Sequence, residues 1–571
     1  MSGHQRDWDL RPPLGLSVSF RGTIGRHRYT ISCEGVLVNW RQLSDNCSEI
    51  SISLGGHRCG PSGSDVTIEI SSLTRNVLIR VPLTAVTGIY SKTSPDRLEL
   101  TTDPRLLYRP GMQIDQRAFY SLFQFGALIP PLTPWCQITR LIPGKVYHIS
   151  GDDLGIICRT ARLCSSSRNP ADLTLPVHRQ CEELATELDR TLQQLCPDRR
   201  PIILFSGGVD SGLLAARAAA MGWRQTLLVN CQMGSDDSES VHAEAMARWF
   251  GFSFERIPYS TDKLEEYLSK LGVMYLLPFG DLSAYPTFLL AKGIIDRHQD
   301  YGVVLDGTGA DGAFGLLGNA TWWRRVSRLP RFAGKLGGFV YKAGKMWMRP
   351  DSRIGRLLRI LYSSAQMPSV HASIAQNPLY EIAYHVPDFL RSETQELLAE
   401  WLEACVPWTR DLSPQRFSTL DLVLVCCGIF AQKDKAIFDA SPIEVRYPFL
   451  EPNIVRLALE RAVYWPGAEQ PKSPLKNLLA QHVPREMVFR PKSAFNPPIK
   501  ELLQSAAFLK AVDHMLESTG SISSILDRDC ISSLHRCLEQ GQDLPVETYN
   551  LIWTAVFASL WLDQICQGKS D

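Results

Sequence analysis

Apolar and polar positions alternate with a period of two through the first part of the chain. Leu16-Ser-Val-Ser-Phe20 and Val66-Thr-Ile-Glu-Ile70 are short runs of this kind, and Val77-Leu-Ile-Arg-Val81 is rich in β-branched residues; Gly, Pro, Asn and Asp lie between them. That is the pattern of half-buried strands joined by turns, so residues 1–170 read as a β-rich unit. From about Leu175 the period lengthens: apolar positions from Val177 to Leu195 fall at helical spacing,. Apolar runs then lead into polar turns and helical stretches. Pro201-Ile-Ile-Leu-Phe205 runs into Ser206-Gly-Gly-Val-Asp-Ser211. Thr226-Leu-Leu-Val-Asn230 precedes Gly234-Ser-Asp-Asp-Ser238 and a helix from about Glu239 to Phe250. Gly302-Val-Val-Leu-Asp306 ends in Gly307-Thr-Gly-Ala-Asp-Gly312. Such alternation predicts an α/β fold with a doubly wound parallel sheet over 171–571, its ligands at the carboxyl ends of the strands. The remainder reads mostly helical.

Composition narrows the class. A chain of 571 residues is too long for a single core by size alone, so two or three domains are expected,. Its 44% apolar and 21% charged residues are those of an ordinary soluble protein, and a net charge of +1 gives no general pull toward nucleic acid or membrane,. The fifteen cysteines lack the paired C-x-x-C spacing of a zinc site and fit reduced thiols in a cytoplasm,. Cys426 and Cys427, inside an apolar run, read as core packing. The start has no apolar signal region, and the run Leu420 to Phe430 is too short to span a bilayer,. A cytoplasmic protein, at most peripheral to a membrane, is expected.

The turn Ser206–Ser211 carries the strongest chemical signal. Two glycines let the backbone approach an anion, and the N–H groups opening the next helix point at it with the helix dipole behind them. No Lys follows, so this is not the loop of the common triphosphatases. It reads as the SGGxDS pyrophosphate loop of enzymes that split ATP between its α and β phosphates. That reaction needs an anion cradle, Mg²⁺ and a positive group near the leaving phosphates. Asp210 and Asp311 are the candidate metal ligands. A lone Asp in a turn usually caps backbone, but two at strand ends beside a phosphate cradle favour a metal. Lys492, stiffened by Arg490-Pro491, is the candidate cation.

These residues stand in five motifs whose order resembles the asparagine synthetase superfamily. They are Ser206–Ser211, Asp306-Gly-Thr-Gly-Ala-Asp311, Ile443-Glu-Val-Arg-Tyr-Pro-Phe-Leu450, Pro471-Lys-Ser-Pro-Leu-Lys-Asn-Leu-Leu479 and Arg490-Pro-Lys492. Ile129–Pro134 and Leu141–Tyr147 look like the end of that family's glutaminase domain. The resemblance implies an N-terminal unit (1–170) related to the Ntn-hydrolase glutaminases and an ATP pyrophosphatase-type sheet with a helical extension (171–571). It further implies a carboxylate that attacks the α-phosphate of ATP, and an amine that captures the acyl-adenylate. Leu204, Ser206, Gly207, Gly208, Val209, Asp210, Ser211 and Gly307 would contact the nucleotide, and Asp210 and Asp311 would hold Mg²⁺. Lys492 would stabilise the charge developing during amide formation.

Two departures redirect the expectation. Ser2-Gly-His4 stands where glutamine-dependent members have Cys, so a non-catalytic, degenerate glutaminase unit is expected. Thr308 stands where asparagine synthetases have Glu and β-lactam synthetases have Tyr, and its hydroxyl is a poor base. Either another acid serves, Asp421 or Asp434, or the amine arrives neutral, as a peptide amino terminus with a pKa of about 7.7–8.0 does in part. Together the departures resemble the lasso-peptide macrolactam synthetases. The implied substrate is a precursor peptide, with a leader-peptide-binding protein and a protease as candidate partners. The alternative is asparagine or β-lactam-type amidation of a small molecule without glutaminase activity. Residues 322–359 interleave eleven Arg and Lys with aromatics. They form either a solvated helical face or a docking surface for a peptide or protein. The near-zero net charge and the lack of an RNA-binding motif set nucleic acid aside.

Overall fold

The computed structural model describes residues 16–567, except 24–25, 34–36, 45–46, 55–65, 72–75, 95–96, 150–155, 161–176, 235–236, 316–420, 462–471, 491–497, 519–527 and 545. The alternating runs of the first part pair as two antiparallel sheets. One has the order β2-β1-β8-β7-β9, from β1 (Leu16–Thr23), β2 (Arg26–Cys33), β7 (Tyr90–Ser94), β8 (Arg97–Thr101) and β9 (Thr139–Arg140). The other has the order β11-β10-β6-β5-β4-β3, from β3 (Leu37–Ser44), β4 (Cys47–Leu54), β5 (Val66–Ser71), β6 (Asn76–Val81), β10 (Lys145–Ile149) and β11 (Ile156–Thr160). Register explains the alternation: Ile68 pairs with Ile79 across β5 and β6. Both are buried, with Val66 and Val81, on one face,. A helix, α1 (Gln116–Phe125), lies between β8 and β9 in the chain, capped by the Asp115 side chain and closed by Gly126 in the left-handed region,.

The second unit holds a five-stranded parallel sheet. Its strands are β12 (Ile202–Leu204), β13 (Leu227–Gln232), β14 (Ser253–Pro258), β15 (Val303–Leu305) and β16 (Glu444–Arg446), in the order β14-β13-β12-β15-β16. Helices α2 (Val177–Leu195), α3 (Val209–Ala220), α4 (Ser238–Phe250), α5 (Leu264–Leu268), α6 (Leu271–Met274) and α7 (Ala284–Arg297) come before or between them. The chain winds outward from β12 to β14, then returns to the other side of β12 as β15. The topological switch point therefore lies between β12 and β15, where open α/β sheets bind ligands. The central strands are buried through Ile202, Ile203, Val303, Val304 and Leu305, which is why their sequence lacks alternation.

The helical remainder begins with α8 (Ala431–Phe438), α9 (Pro452–Arg461), α10 (Ser473–Leu479) and α11 (Arg485–Val488). It continues with α12 (Ile499–Leu503), α13 (Ala506–Glu517), α14 (Arg528–Glu539) and α15 (Val546–Gln567). Helix α15 is apolar on every side, with Ile552, Trp553, Val556, Phe557 and Trp561 all buried. A helix of that kind belongs inside a core. No helix among the described residues is long and apolar enough to cross a membrane.

One apolar core runs through both units. Trp135 lies between Tyr108 and Trp561, with ring centroids 5.1 and 5.7 Å apart. Arg105, clamped by Asp103, donates to the carbonyls of Gly272 and Val273, each at 2.7 Å. Thr84 donates to the Leu450 carbonyl at 2.6 Å, and Gln432 to that of Val86 at 2.8 Å.

Candidate active site

The turn after β12 has the tight, glycine-dependent shape expected of an anion cradle. Gly207 takes φ +69°, and a Cβ there would lie 2.7 Å from the Ala243 Cα of α4. Only glycine fits both constraints. The Ser206 and Ser211 hydroxyls lie 3.2 Å apart, the Gly208 N–H donates to Ser206 Oγ, and the Ser206 N–H donates to Ser211 Oγ. These bonds curl the turn over the start of α3. Gly208 caps that helix without a side-chain hydrogen bond, so the helix presents its first amides and the positive end of its dipole. Val209 begins α3, and Leu204 ends β12.

The turn after β15 closes the other side. Gly307 abuts Asp210, with the distance from its would-be Cβ to Asp210 Cβ only 3.0 Å. The Thr308 N–H donates to Asp306 Oδ1. Gly309 takes φ +103°, where a Cβ would strike Leu450 at 2.7 Å. Asp311 then stands in solvent, its side chain 62% exposed.

Between the two turns lies a residue to which the sequence reading gave no role. Lys472 Nζ sits 2.5 Å from Asp210 Oδ2 and 2.8 Å from Asp311 Oδ1. Its backbone N–H donates to the Phe314 carbonyl, and it opens α10 at φ +59°, a region rarely taken by residues with a Cβ,. Burial disfavours its charge, but Asp210 and Asp311 outweigh burial and raise its pKa above the ordinary lysine value. The available signal was its place in the Pro471–Leu479 motif, directly before an apolar helix.

Two further acids lie behind this centre. Burial, then the charge of Asp311, pushes Asp421 up to about 7; the Cys426 thiol donates to its Oδ2. Asp434 is deeply buried and accepts from Tyr447 Oη at 2.7 Å and from the Lys435 N–H at 2.8 Å. Burial and then Asp306 hold its carboxyl well above the usual range. Of the two alternative bases weighed from sequence, Asp421 lies beside the Asp311–Lys472 pair. Asp434 is tied into structure.

The geometry thus brings Ser206, Gly207, Gly208, Asp210, Ser211, Gly307, Thr308 and Asp311 to one switch point. Lys492 and residues 322–359 lie outside the described residues. Among the described residues no group of three or more His, Cys, Asp and Glu gathers as a metal cage. What converges is a pair of carboxylates around a cation, the Lys472 ammonium. That donor set fits Mg²⁺, which takes one or two carboxylates and completes its shell with phosphate oxygens and water.

A parallel α/β sheet with a glycine turn and paired acids at its switch point places the chain in the doubly wound α/β class,. Residues 183–563 match the family model for asparagine synthase, and the chain belongs to that family. Family members form amide bonds at the expense of ATP. Proteins of Mycobacterium bovis and Mycobacterium tuberculosis, provisionally named glutamine-hydrolysing asparagine synthetases, are 24% identical over 465 residues, 79% of this chain and 67% of theirs. The solved Bacillus subtilis glutamine phosphoribosylpyrophosphate amidotransferase, complexed with ADP and GMP, covers 55% of this chain and 72% of its own. Identity there is 9% with a TM-score of 0.17, a likeness that carries no argument.

Proposed function

We propose that this ligase activates an Asp or Glu side chain of a ribosomal precursor peptide and closes a macrolactam on that peptide's amino terminus. The substrate carboxylate oxygen attacks the α-phosphorus of ATP, and the bond to pyrophosphate breaks. The peptide amine then forms the C–N bond, AMP leaves, and the amine proton is lost to a base or water. The Gly207–Ser211 amides would hold the departing pyrophosphate. Mg²⁺, held by Asp210 and Asp311, would supply charge neutralisation on the phosphates, and Lys472 would turn its ammonium from the carboxylates toward them. Lys492 is assigned to the acyl-transfer transition state.

The observation that carries the peptide reading is Thr308. Its hydroxyl cannot take a proton near neutral pH, which favours an amine already partly neutral, as a peptide amino terminus is. The basic, aromatic residues 322–359 are assigned to docking the peptide or its leader-binding partner. Neutralising Arg324, Arg325 and Arg328 together should then weaken peptide capture.

ATP–pyrophosphate exchange tests the reading, with a short peptide encoded beside the protein as one substrate and free aspartate or carboxyethyl amino acids as others. Exchange with the peptide supports it. Exchange with free aspartate alone returns the protein to small-molecule amidation. Lys492→Ala should abolish amide formation; undiminished product would remove the assigned mechanism.

A further inference from the structure

Helix α4 lies against the anion turn. Its Ala243 packs on Gly207 so closely that no Cβ fits between them. The residue before it, His242, turns its ring to the backbone of the same Gly207 on one side and of Met487 in α11 on the other. Both backbone groups favour the protonated ring, which marks them as hydrogen-bond acceptors. A neutral imidazole has one N–H to offer them, and an imidazolium has two. His242 Nε2 is buried without a formed hydrogen bond, and an orphaned polar atom of that kind calls for a physical reason.

The charges facing the ring come from two elements. Glu239, in the first turn of α4, favours the protonated form, and Arg490, just beyond α11, opposes it. The two are locked to each other in a two-pronged ion pair, Nη1 to Oε1 at 2.9 Å and Nη2 to Oε2 at 2.5 Å. Burial is the largest influence on the ring, followed by Arg490, and together they hold the imidazole below the ordinary histidine range. The helix that carries it is fixed. Asp237 caps α4 through the Glu239 and Ser240 N–H groups. Ser240 bonds to Asn230, whose amide donates to the Phe205 carbonyl just before the anion turn.

We propose that His242 is a proton-linked positioning residue for the anion turn: a phosphate ligand seated on Ser206–Ser211 draws a proton from solvent onto the imidazole, which then ties Gly207 to Met487 through two N–H donors. The ligand's negative charge supplies the drive, because an anion near a histidine favours its charged form. Binding therefore takes up a proton. Affinity should grow as pH falls through the histidine pKa of the complex and level off below that of the free protein. The inference rests on the anion-binding role given to this turn above.

Calorimetric titration of the full chain with Mg²⁺-pyrophosphate provides the test, run between about pH 5 and 8, where histidine titrates, in buffers of different ionisation enthalpy. The unaltered protein should take up more protons per ligand than His242→Gln, which keeps a donor and loses the titration. Over that range its affinity should also tighten roughly tenfold more, the equivalent of one pKa unit. The ligand is the same in both titrations, so its own protons cancel in the comparison. His242→Asn serves if the Gln variant does not fold. Carbon NMR of ring-labelled histidine in the unaltered protein needs no variant at all. One of the twelve imidazoles should titrate below the ordinary value in the free protein and higher with Mg²⁺-pyrophosphate. Equal proton uptake in parent and variants, or imidazole titrations that pyrophosphate leaves unchanged, would overturn the inference and leave the assignment of the turn standing. Failure of the unaltered protein to bind pyrophosphate would overturn the assignment of the turn, and this inference with it.

Discussion

Lys472 and Asp434 illustrate opposite uses of a buried charge. The Lys472 ammonium bridges two carboxylates that would otherwise repel each other across the switch point. Lys472→Ala should therefore destabilise the free protein by about 1–2 kcal/mol, less than a fully buried pair because Asp311 faces water. MgCl₂ should recover that loss, since a divalent cation can take the ammonium's place between Asp210 and Asp311. Thermal melts with and without MgCl₂ read this directly: the variant should gain more than the parent, and Asp210→Asn added to Lys472→Ala should erase the gain. Asp434 behaves the other way. Its folded pKa is raised by burial and Asp306, so above about pH 4, the unfolded value, the folded state holds a proton that the unfolded state has released. Stability from this group is full at low pH and falls as pH rises toward the folded pKa. Asp434→Asn keeps an oxygen for Tyr447 and removes the titration. Its melting temperature should decline less between pH 5 and 8 than the parent's; an equal decline would place the pH dependence elsewhere.

At the scale of elements, the anion turn depends on α4 as much as on its own glycines. Gly207→Ala should cost about 1–3 kcal/mol from backbone strain alone, and its methyl would press on the Ala243 Cα. Pushing the turn off α4 should weaken ATP binding by roughly tenfold or more, the equivalent of about 1.4 kcal/mol. Calorimetric titration with ATP checks this against Gly222→Ala, a glycine also at positive φ but with open space around it. The turn was legible in the chain because β12 and β15 are apolar throughout, β13 is apolar through Val229, and a turn with Gly and Asp follows each. Strands β14 (Ser-Phe-Glu-Arg-Ile-Pro) and β16 (Glu-Val-Arg) were not read as strands. They are the two edges of the sheet and carry charged residues, so neither run had the apolar continuity that marked the centre. Lys472 was missed for a similar reason. A single lysine before a helix looks solvated until the fold carries it across some 160 residues to Asp311 and 260 to Asp210,. The Glu239–Arg490 pair spans 251 positions and has no local signature.

For the whole molecule, the change of period near residue 175 marks a change of architecture without marking a gap in the core. Trp135 of the β-rich unit is fully buried against Trp561 of the last helix, and Trp561 in turn donates to the Tyr275 carbonyl at 2.8 Å. The Arg105 guanidinium satisfies two carbonyls of α6, and Thr84 and Gln432 bond across the same boundary. Removing the first unit would leave the Gly272, Val273 and Leu450 carbonyls without these partners and bare an aromatic face, costs that an independently folding domain avoids. The β-rich unit therefore acts as a wall for the α15 core, whatever chemistry it hosts. Trp135→Ala tests this without cutting the chain. It should cost about 3–5 kcal/mol, as large aromatic truncations in packed cores do, and lower the melting of both units together. Calorimetry should give one shifted transition, and tryptophan near-UV dichroism should be lost at the same temperature. A first transition that separates and moves alone, with the sheet-bearing unit melting where it did before, would mean that the two cores are independent.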